Sequence, residues 1–280
     1  MLFSIITVCF NSAKTIRQTF DSVLQQRCKD YEYIVVDGAS TDGTVDIIKE
    51  YEPKFEGRMR WISEPDKGIY DAVRKGFAMS SGEILAWIGS DDVYMPNAFK
   101  VVCDVFRQYP QVEWLTGETL HIFSNGTLCN AALGRPWQYY EFCMGRAFWV
   151  QQETTFWRRS LWEANRTAFG DLRYAGDYAL WTSFARTTQL YALPVLLAAF
   201  RLRSGQTSAV HMDEYKAEVE QICRKELSTV SWKRRMAWRL YCWVKNQRFL
   251  GFVVRRLERR RRASMYFLSV NMQTQKIELP

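Results

Sequence analysis

Hydrophobic residues in the first hundred positions alternate between two periods, one typical of buried strands and the other typical of helices. Residues 3–9 form an apolar, β-branched run that predicts a buried strand. Ile16, Phe20 and Val23 then recur at the spacing of one helix face. The alternation continues, with strands predicted at 31–36, 60–63 and 84–88 and helices predicted around 45–51 and 69–77.

Strands and helices that alternate with short turns predict crossover connections, and therefore a parallel sheet with helices on both faces. Ligands of such sheets bind at the carboxyl ends of the strands. Polar, charged and glycine residues gather at these predicted ends, namely Thr7 to Asn11, Asp37, Glu64 to Gly68, and Asp91 with Asp92. We therefore expect one cleft, built from residues that lie far apart in the sequence.

The pattern weakens after about residue 110. Strands are predicted at 113–119, 127–132 and 190–200, a loop with a short helix at 137–148, and helices at 178–186, 214–227 and 231–265. We accordingly predict an α/β domain over residues 1–212 and a helical, Arg- and Trp-rich extension over residues 213–280.

Composition argues against several classes of protein. The 280 residues include seven dispersed cysteines without a C-x-x-C pair and only two histidines. A disulfide framework, a zinc ribbon and a His-rich metal site are therefore not expected, and a reducing compartment is favoured. No apolar run reaches the roughly 20 residues that span a bilayer. The first ten residues are interpreted as a buried strand rather than a signal peptide.

Positive charge is concentrated late in the chain. Residues 224–262 contain fourteen Lys or Arg and two Glu, a net charge of +12, so the rest of a chain with net charge +8 carries −4. A mildly acidic main body does not fit a nucleic-acid-binding protein, and we expect no nucleic-acid partner. Residues 232–262 interleave aromatic and basic side chains, which predicts a helix on an anionic membrane surface. A packed helical pair with a solvated basic face is the alternative.

Carboxylates gathered at one rim repel one another, and burial of any of them is costly unless it is paired or hydrogen-bonded. A divalent cation and a sugar nucleotide would resolve this conflict. Asp92 can offer hard oxygen ligands to Mg²⁺ or Mn²⁺, Asp91 can accept from ribose hydroxyls, and Asp37 can accept from a nucleobase N–H. Each of them alone would be read as an ordinary turn residue. Their shared position at strand ends favours a common binding site.

Four segments carry a specific resemblance to a known family. They read TVCFN from Thr7, VVDGASTDGT from Val35, SEPDKGIYDA from Ser63 and SDD from Ser90. This set resembles the family 2 glycosyltransferases of the GT-A fold, in particular bacterial enzymes of exopolysaccharide and O-antigen assembly. The resemblance covers residues 3–100 densely and residues 150–208 more loosely.

The resemblance implies a mostly parallel nucleotide-binding sheet and an inverting transfer of a sugar from a nucleoside diphosphate donor, with Mn²⁺ or Mg²⁺. It also implies a glycan or lipid-linked acceptor in cell-surface polysaccharide biosynthesis, and a cytoplasmic protein at the inner face of the cell membrane. A non-catalytic nucleotide-sugar-binding assembly subunit of the same fold is the alternative. A dinucleotide-dependent oxidoreductase is set aside, because no G-x-G-x-x-G follows the first strand.

Residue by residue, the resemblance implies a donor pocket with a floor, a base contact, a nucleotide contact with the turn that shapes the pocket, a contact to the ribose or donor sugar, and a metal ligand. Thr7, Phe10 and Asn11 would form the floor, and Asp37 would contact the base. Asp66, Lys67, Gly68 and Asp71 would form the turn with its nucleotide contact. Asp91 would contact the sugar, and Asp92 would bind the metal. Lys67 could serve as a point charge beside a diphosphate, or be an ordinary solvated lysine. Gly68 is expected to meet a backbone requirement rather than to contact the ligand.

The resemblance places the general base at Asp177, within Tyr174 to Trp181. A carboxylate there could take the proton of the acceptor hydroxyl, an effect typically worth about 10²–10⁴-fold. Asp177 also directly precedes the predicted helix, where it would be a good N-cap, and a residue can fill both roles.

Two later segments, Gln151 to Ser160 and Arg201 to Ser208, match family segments that line the sugar and diphosphate regions. Many relatives have a histidine where Gln152 and Arg203 align, so these two contacts differ in this chain. Glu153 is a second candidate for the base. Arg203 could bind a diphosphate through its planar fork, or lie in a solvated loop.

Four tryptophans could stack on sugar faces, namely Trp87, Trp149, Trp157 and Trp181. Aromatic residues at strand and helix spacing are more often part of the core. We therefore expect their role to be mainly structural.

Overall fold

The computed structural model of the protein describes residues 2–147, 150–247, 252–254, 256–257, 268–271 and 276–278. Its strands are β1 Phe3–Cys9, β2 Tyr31–Asp37, β3 Met59–Ser63, β4 Ile84–Gly89, β5 Val93–Tyr94, β6 Trp114–Phe123, β7 Leu128–Ala132, β8 Phe156–Arg158, β9 Leu190–Leu202, β10 Ser269–Asn271 and β11 Lys276–Glu278. Its α-helices are α1 Ile16–Leu24, α2 Thr44–Tyr51, α3 Ile69–Met79, α4 Ala98–Gln108, α5 Tyr139–Cys143, α6 Arg159–Asn165, α7 Gly176–Ala185, α8 Thr207–Val210, α9 Met212–Thr229 and α10 Trp232–Asn246.

Strands β1 to β9 form one mixed sheet in the order β3-β2-β1-β4-β8-β6-β9-β5, with β7 paired to β6. The first half is parallel, because β1 pairs in parallel with both β2 and β4, and β2 pairs in parallel with β3. Helices α1, α2 and α3 make the crossovers. The predicted α/β fold, with parallel strands in its first half and flanking helices, is confirmed.

The second half of the sheet departs from the parallel pattern. Strand β8 lies between β4 and β6 and is antiparallel to both, whereas β6 and β9 are parallel. The register of β6 against β9 shifts where Thr116 faces Ala192 and Glu118 faces Leu196. Pro194 falls in this interval, which fits its lack of a backbone N–H for the ladder.

Two apolar layers cover the two faces of the sheet. Alternate residues of β1 point to opposite layers, with Phe3 and Ile5 in one and Ile6 and Val8 in the other. The first layer contains the inward faces of α1, α2 and α4, and the second contains those of α3, α6 and α7 together with Val219 of α9. The predicted division into residues 1–212 and 213–280 stays a prediction.

A cluster of tryptophans joins α7 to the middle of the sheet. Trp181 of α7 stacks on Trp87 of β4, with ring centroids 5.4 Å apart, and on Trp114 of β6, at 5.6 Å. Trp157 of β8 meets the Trp181 ring edge-on at 5.4 Å. All four rings are buried. Three of the candidates for sugar stacking, Trp87, Trp157 and Trp181, therefore belong to the core. Trp149 lies outside the described residues.

Several elements differ from the sequence prediction. The helix expected at 178–186 begins earlier, at Gly176, and the short strands β5, β8, β10 and β11 were not predicted. Two or three residues are too few for a hydrophobic period to show. The helical stretch expected over 231–265 is present as α10 up to Asn246, and its last part, residues 258–265, lies outside the described residues. Among the helices that the structure describes, none combines the length and the apolar character needed to cross a membrane.

The tryptophan cluster should carry much of the stability of α7. Trp181 is 2% exposed, whereas Trp243 of α10 is 59% exposed. Replacing Trp181 by Ala should lower the free energy of unfolding by about 3–5 kcal/mol, because the indole leaves a cavity. Urea denaturation measures the change. Trp243→Ala is the matched control and should cost about 0.5 kcal/mol or less; equal losses for the two variants would contradict this view of the core.

Candidate active site

The ends of three parallel strands form the centre of the site. The register sets Cys9 beside Asp37 and Val8 beside Gly89, so β1, β2 and β4 end at the same level. The loops that follow are joined by hydrogen bonds. Ser12 Oγ lies 2.7 Å from Ser90 Oγ, and the Ser12 backbone N–H donates to Thr44 Oγ1 at 2.8 Å. The predicted gathering of polar strand ends is therefore present at this rim.

The loop after β1 is fixed by Asn11. Its backbone is left-handed, with φ of 50°, a conformation that asparagine tolerates better than most residues. Asn11 Oδ1 accepts from the Thr41 backbone N–H at 2.9 Å, and its own N–H donates to Ser40 Oγ at 2.7 Å. Phe10 is 64% exposed beside this loop. Thr7, in contrast, is fully buried, and its hydroxyl accepts from Tyr33 Oη at 2.8 Å.

Asp37 is completely buried and surrounded by donors. Its carboxylate accepts from the Ser40 backbone N–H at 2.9 Å, from Ser63 Oγ at 2.7 Å, and from the Ser40 hydroxyl and the Cys9 thiol. A carboxylate has about four lone-pair positions, and this set uses them. The side chain therefore ties the end of β2 to the ends of β1 and β3. A direct contact with a nucleobase would require one of these donors to move.

The turn before α3 brings four predicted residues together. Gly68 has φ of 114°, and its N–H donates to Asp66 Oδ1 at 2.8 Å. This φ is unfavourable for residues with a side chain, so the expected backbone role of Gly68 is present. Asp71 Oδ2 accepts from the Lys67 backbone N–H at 3.1 Å, and the Lys67 side chain is exposed. The Asp66 carboxylate lies so close to Gly38 that a Cβ there would be 2.7 Å from its Oδ2.

The Asp91-Asp92 turn is held by two arginines at the end of β9. The Arg203 guanidinium donates to Asp91 Oδ2 through Nε at 2.6 Å. Arg201 is 3% exposed; its backbone N–H donates to Asp92 Oδ1 at 2.8 Å and its Nε donates to the Asp91 carbonyl at 2.8 Å. The two carboxylates also converge, because a Cβ on Gly89 would lie 2.9 Å from Asp92 Oδ2 and 3.0 Å from Asp91 Oδ1. Arg203 thus lies against the Asp91-Asp92 turn, and its contact with a diphosphate stays a prediction.

Asp92 and Glu153 form an electrostatically strained pair. Burial raises the pKa of Asp92 well above its usual value, and the charges of Asp91 and Glu153 raise it further. Burial also raises the pKa of Glu153 to about 7. Glu153 is 2% exposed, and its Oε1 has no hydrogen-bond partner among the described residues. Its neighbour Gln152 donates through Nε2 to the Trp87 carbonyl. A cation at Asp92 would relieve this repulsion.

Asp91 and Asp92 are the residues that fit a divalent cation. Among the residues that the structure describes, no group of three or more His, Cys, Asp or Glu side chains could hold a metal ion alone. Mg²⁺, however, is commonly bound through one or two carboxylates together with substrate phosphates and water. The convergent oxygens of Asp91 and Asp92 therefore suit an ion that binds together with a diphosphate.

Asp177 of α7 is connected to the turn before α3 by Tyr70, a residue of α3. Asp177 Oδ1 accepts from the Tyr178 backbone N–H at 2.7 Å and from Tyr70 Oη at 3.2 Å, and the Tyr70 hydroxyl also donates to the Tyr174 carbonyl at 2.7 Å. Tyr70 stands two residues after Gly68, and its ring packs so closely on Gly176 that a Cβ there would be 2.7 Å from it. Burial raises the pKa of Asp177 to about 6. The N-cap prediction is wrong, because α7 begins at Gly176, its N-cap is Ala175, and Asp177 lies in the first turn.

Glu218 of α9 was not predicted, although it fixes the segment before Asp177. Its carboxylate accepts from three consecutive backbone N–H groups, those of Arg173 and Tyr174 at 2.9 Å and of Ala175 at 2.7 Å. Glu218 and Tyr70 thus hold the start of α7 from two sides. Tyr70 lay inside a quoted motif, but for Glu218 the only signal was an acid on a predicted helix, which usually indicates a solvated face.

Comparison with known proteins agrees with this geometry. The family model of glycosyl transferase family 2 matches residues 4–156, which is more than half of the chain. The chain belongs to this family. The resemblance stated from the four sequence segments is therefore confirmed, and the match extends through the Asp91-Asp92 turn to Glu153.

The curated relatives of this family 2 chain are either distant in sequence or match only a part of it. A "PGL/p-HBAD biosynthesis glycosyltransferase" of Mycobacterium tuberculosis is 37% identical over 91 residues, which is 32% of this chain and 36% of that protein. The chain thus spans about a third of the length of the first curated relatives it matches. An uncharacterized glycosyltransferase of Haemophilus influenzae is 23% identical over 238 residues, covering 81% of this chain and 73% of that protein.

Solved structures share the fold of this family 2 chain. TarS residues 1–349 of S. aureus, in complex with UDP-GlcNAc, has a TM-score of 0.64 and 16% identity, covering 100% of this chain and 97% of that chain. The mannosyltransferase PcManGT of Pyrobaculum calidifontis, in complex with GDP-Man and Mn²⁺, has a TM-score of 0.58 and 18% identity, covering 82% and 64%. Together with the family match, these likenesses confirm the GT-A fold.

The raised pKa of Asp177 predicts a pH-dependent gain in stability for Asp177→Asn. The amide oxygen can still accept from Tyr70 and Tyr178, while the cost of burying a charge is removed. The variant should gain up to about 3 kcal/mol of unfolding free energy above pH 6, where the folded wild type is ionised. The gain should shrink as pH falls from about 6 toward 4, because the wild-type carboxyl becomes protonated in the folded state.

Thermal or urea unfolding of the two proteins across this pH range measures the difference. A difference that is constant with pH would contradict the assigned burial of the charge. Asp171→Asn, on an exposed residue of the same loop, is the matched control and should change stability equally little at every pH.

Proposed function

We propose that the protein is an inverting glycosyltransferase that moves a sugar from a nucleoside diphosphate donor to a glycan or lipid-linked acceptor in cell-surface polysaccharide biosynthesis. The observation that carries this proposal is the Tyr70–Asp177 hydrogen bond of 3.2 Å. It sets an acid of α7 beside the turn of Asp66, Lys67 and Gly68, on the rim where the strands with Asp37 and Asp91-Asp92 end. In this proposal, a donor side and an acceptor side share one cleft.

The donor is proposed to lie along the ends of β1, β2 and β4. Phe10 is exposed there and offers a flat apolar surface to a base or sugar, and the exposed Lys67 offers a positive charge to a diphosphate. Arg203 could exchange its ion pair with Asp91 for the same anion. Solved relatives of the same fold hold UDP-GlcNAc or GDP-Man, which supports a nucleoside diphosphate sugar.

Asp92 would hold Mn²⁺ or Mg²⁺ against the donor diphosphate. When bound, such an ion neutralises charge that develops on the leaving diphosphate. The neighbour PcManGT was solved with Mn²⁺, which supports this choice. The Arg201 backbone N–H keeps Asp92 Oδ1 in place, so that Asp92 Oδ2 can face the ion. Asp91 would be free to bind the ribose or sugar once Arg203 turns to the diphosphate.

Asp177 is proposed as the general base of a single displacement. The acceptor oxygen forms a bond to the anomeric carbon while the bond from that carbon to the diphosphate oxygen breaks. The proton of the acceptor hydroxyl passes to the Asp177 carboxylate, and the electron pair of the broken bond leaves with the nucleoside diphosphate. Tyr70 holds the carboxylate in position through Oδ1, which leaves Oδ2 for the proton.

The acceptor and the location complete the proposal. The first curated relatives are named as glycosyltransferases of PGL/p-HBAD biosynthesis, which supports sugar transfer within a biosynthetic pathway, and the basic helix α10 suggests an acceptor held at a lipid surface. We place the protein in the cytoplasm, peripheral to the inner face of the cell membrane, with residues 232–262 toward anionic lipid. A non-catalytic nucleotide-sugar-binding subunit is the second candidate, motivated by Gln152 and Arg203 at positions where relatives carry histidine.

Donor binding is the first test of the proposal. Thermal-shift measurements with UDP- and GDP-sugars should show stabilisation that increases with Mn²⁺ or Mg²⁺, by about 2.7 kcal/mol when the ligand is present at 100 times its Kd. Asp92→Asn keeps the acceptor for Arg201 and should lose the metal-dependent part. Asp104→Asn, on an exposed carboxylate of α4, is the control and should behave as the wild type. No stabilisation by any nucleoside diphosphate would refute the function.

The pH dependence of turnover tests the base. Because Asp177 must be ionised, kcat/KM should fall about tenfold per pH unit below a pKa of about 6. Asp177→Asn should keep donor binding, lose about 10²–10⁴-fold in kcat and lose this acidic limb. Unchanged turnover would remove Asp177 from the role and direct attention to Glu153. Donor binding by a wild type that neither transfers nor hydrolyses sugar would favour the non-catalytic subunit.

A further inference from the structure

Helix α10 has one face packed on the protein. Trp238 meets the rings of Tyr139 and Tyr140 of α5, each with centroids 6.2 Å apart, and Tyr241 meets Tyr140 edge-on at 5.7 Å. Cys242 on this face is 4% exposed. The helix is therefore fixed in rotation about its axis, and its opposite face has a defined direction.

The opposite face is a continuous apolar stripe. Trp232, Met236, Leu240 and Trp243 follow one another at i, i+4, i+8 and i+11, and each is more than half exposed. At 3.6 residues per turn these four positions fall within an arc of about 80°. The part of the chain that the structure describes leaves this stripe uncovered. Two tryptophans, a leucine and a methionine on one arc exceed the scattered apolar exposure that soluble surfaces normally show.

Basic residues border the stripe on both sides. At 100° per residue, Lys233 lies about 20° beyond one edge of the arc and Arg239 about 20° beyond the other. Arg235 lies about 60° beyond the edge next to Arg239, and the sequence of α10 has no Asp or Glu. The preceding helix α9, in contrast, contains five acidic residues. The positive charge is thus specific to the helix that exposes the apolar stripe.

We propose that α10 lies flat in the interface of an anionic lipid bilayer, with Trp232, Met236, Leu240 and Trp243 inserted and Lys233 and Arg239 at the lipid phosphates. An apolar arc bordered by cations is the arrangement by which amphipathic helices bind such interfaces. Each cation near the surface contributes about 1 kcal/mol. The inference deepens the proposed function, because it names the face that docks and excludes Trp238 from the lipid.

This orientation places the acceptor side of the site close to the lipid. Helix α5, on which α10 packs, is bonded to α7 by the Tyr178 hydroxyl, which donates to the Phe142 carbonyl at 2.5 Å. Tyr178 directly follows Asp177. The docking helix therefore reaches the proposed base through one intervening helix, so an acceptor anchored in the same bilayer would approach Asp177 from that side.

Vesicle flotation of the 280-residue chain tests the proposal. The wild type should float with vesicles of phosphatidylcholine and phosphatidylglycerol, should not float with phosphatidylcholine alone, and should be released by salt. Leu240→Ser should weaken binding by at least about tenfold, because the inserted leucine is lost. Lys233→Gln with Arg239→Gln should weaken it by about 25-fold, the equivalent of about 2 kcal/mol.

Leu128→Ser provides a matched control. Leu128 of β7 is 58% exposed and Leu240 is 61% exposed, so the two changes remove the same side chain from surfaces of similar exposure. Leu128→Ser should bind vesicles as the wild type does. Circular dichroism of all variants should show unchanged helix content, since the altered residues are exposed.

Three results would overturn the proposal. These are absence of flotation with anionic vesicles, equal binding to neutral vesicles, and unchanged binding of Leu240→Ser. If Leu240→Ser instead converted a dimer into a monomer in sedimentation, a second copy of the chain would cover this face and the membrane would be excluded. Donor binding in solution is measured separately, so a failure of docking leaves the proposed glycosyl transfer intact.

Discussion

The parallel pairing of β1 with both of its neighbours is the constraint on which the rest of the site depends. Because the ladder sets Cys9 beside Asp37 and Val8 beside Gly89, three segments separated by tens of residues end at one level. Hydrogen bonds between the loops, such as Ser12 to Ser90, can form only under this condition. Strand register thus places the polar residues at one rim, and hydrogen bonds between the loops then hold them in position.

The rim gathers negative charge, and the structure stabilises each carboxylate in a different way. Asp37 is surrounded by donors, and Asp91 is paired with Arg203. The carboxylates of Asp92 and Asp177 accept from uncharged donors, and burial raises the pKa of both. A carboxylate whose hydrogen bonds and charge are satisfied by protein groups is suited to a structural role. One whose charge is poorly compensated is suited to exchange a cation or a proton with a substrate.

The C-terminal helices contribute to the acceptor side. Glu218 of α9 binds the three backbone N–H groups that precede α7, and Glu226 of the same helix pairs with Arg186 just after α7. Helix α9 therefore holds α7 at both ends. Helix α10 continues from α9 and rests on α5, so the proposed contact with lipid and the position of Asp177 depend on the same packed group of helices.

The sequence by itself determined the parallel half of the fold and the order of its polar strand ends, because buried strands and amphipathic helices have periods that a local stretch of residues reveals. It also determined the backbone role of Gly68. Only the tertiary structure decided that α7 begins at Gly176, that Tyr70 bonds Asp177, and that Glu218 binds the segment between them. The Tyr70–Asp177 contact joins residues about a hundred positions apart, and the Glu218 contacts join residues about forty positions apart. A local sequence pattern does not predict contacts at such separations. The outward face of α10 was decided in the same way, since an aromatic and basic helix has several possible rotations until Trp238 packs on α5.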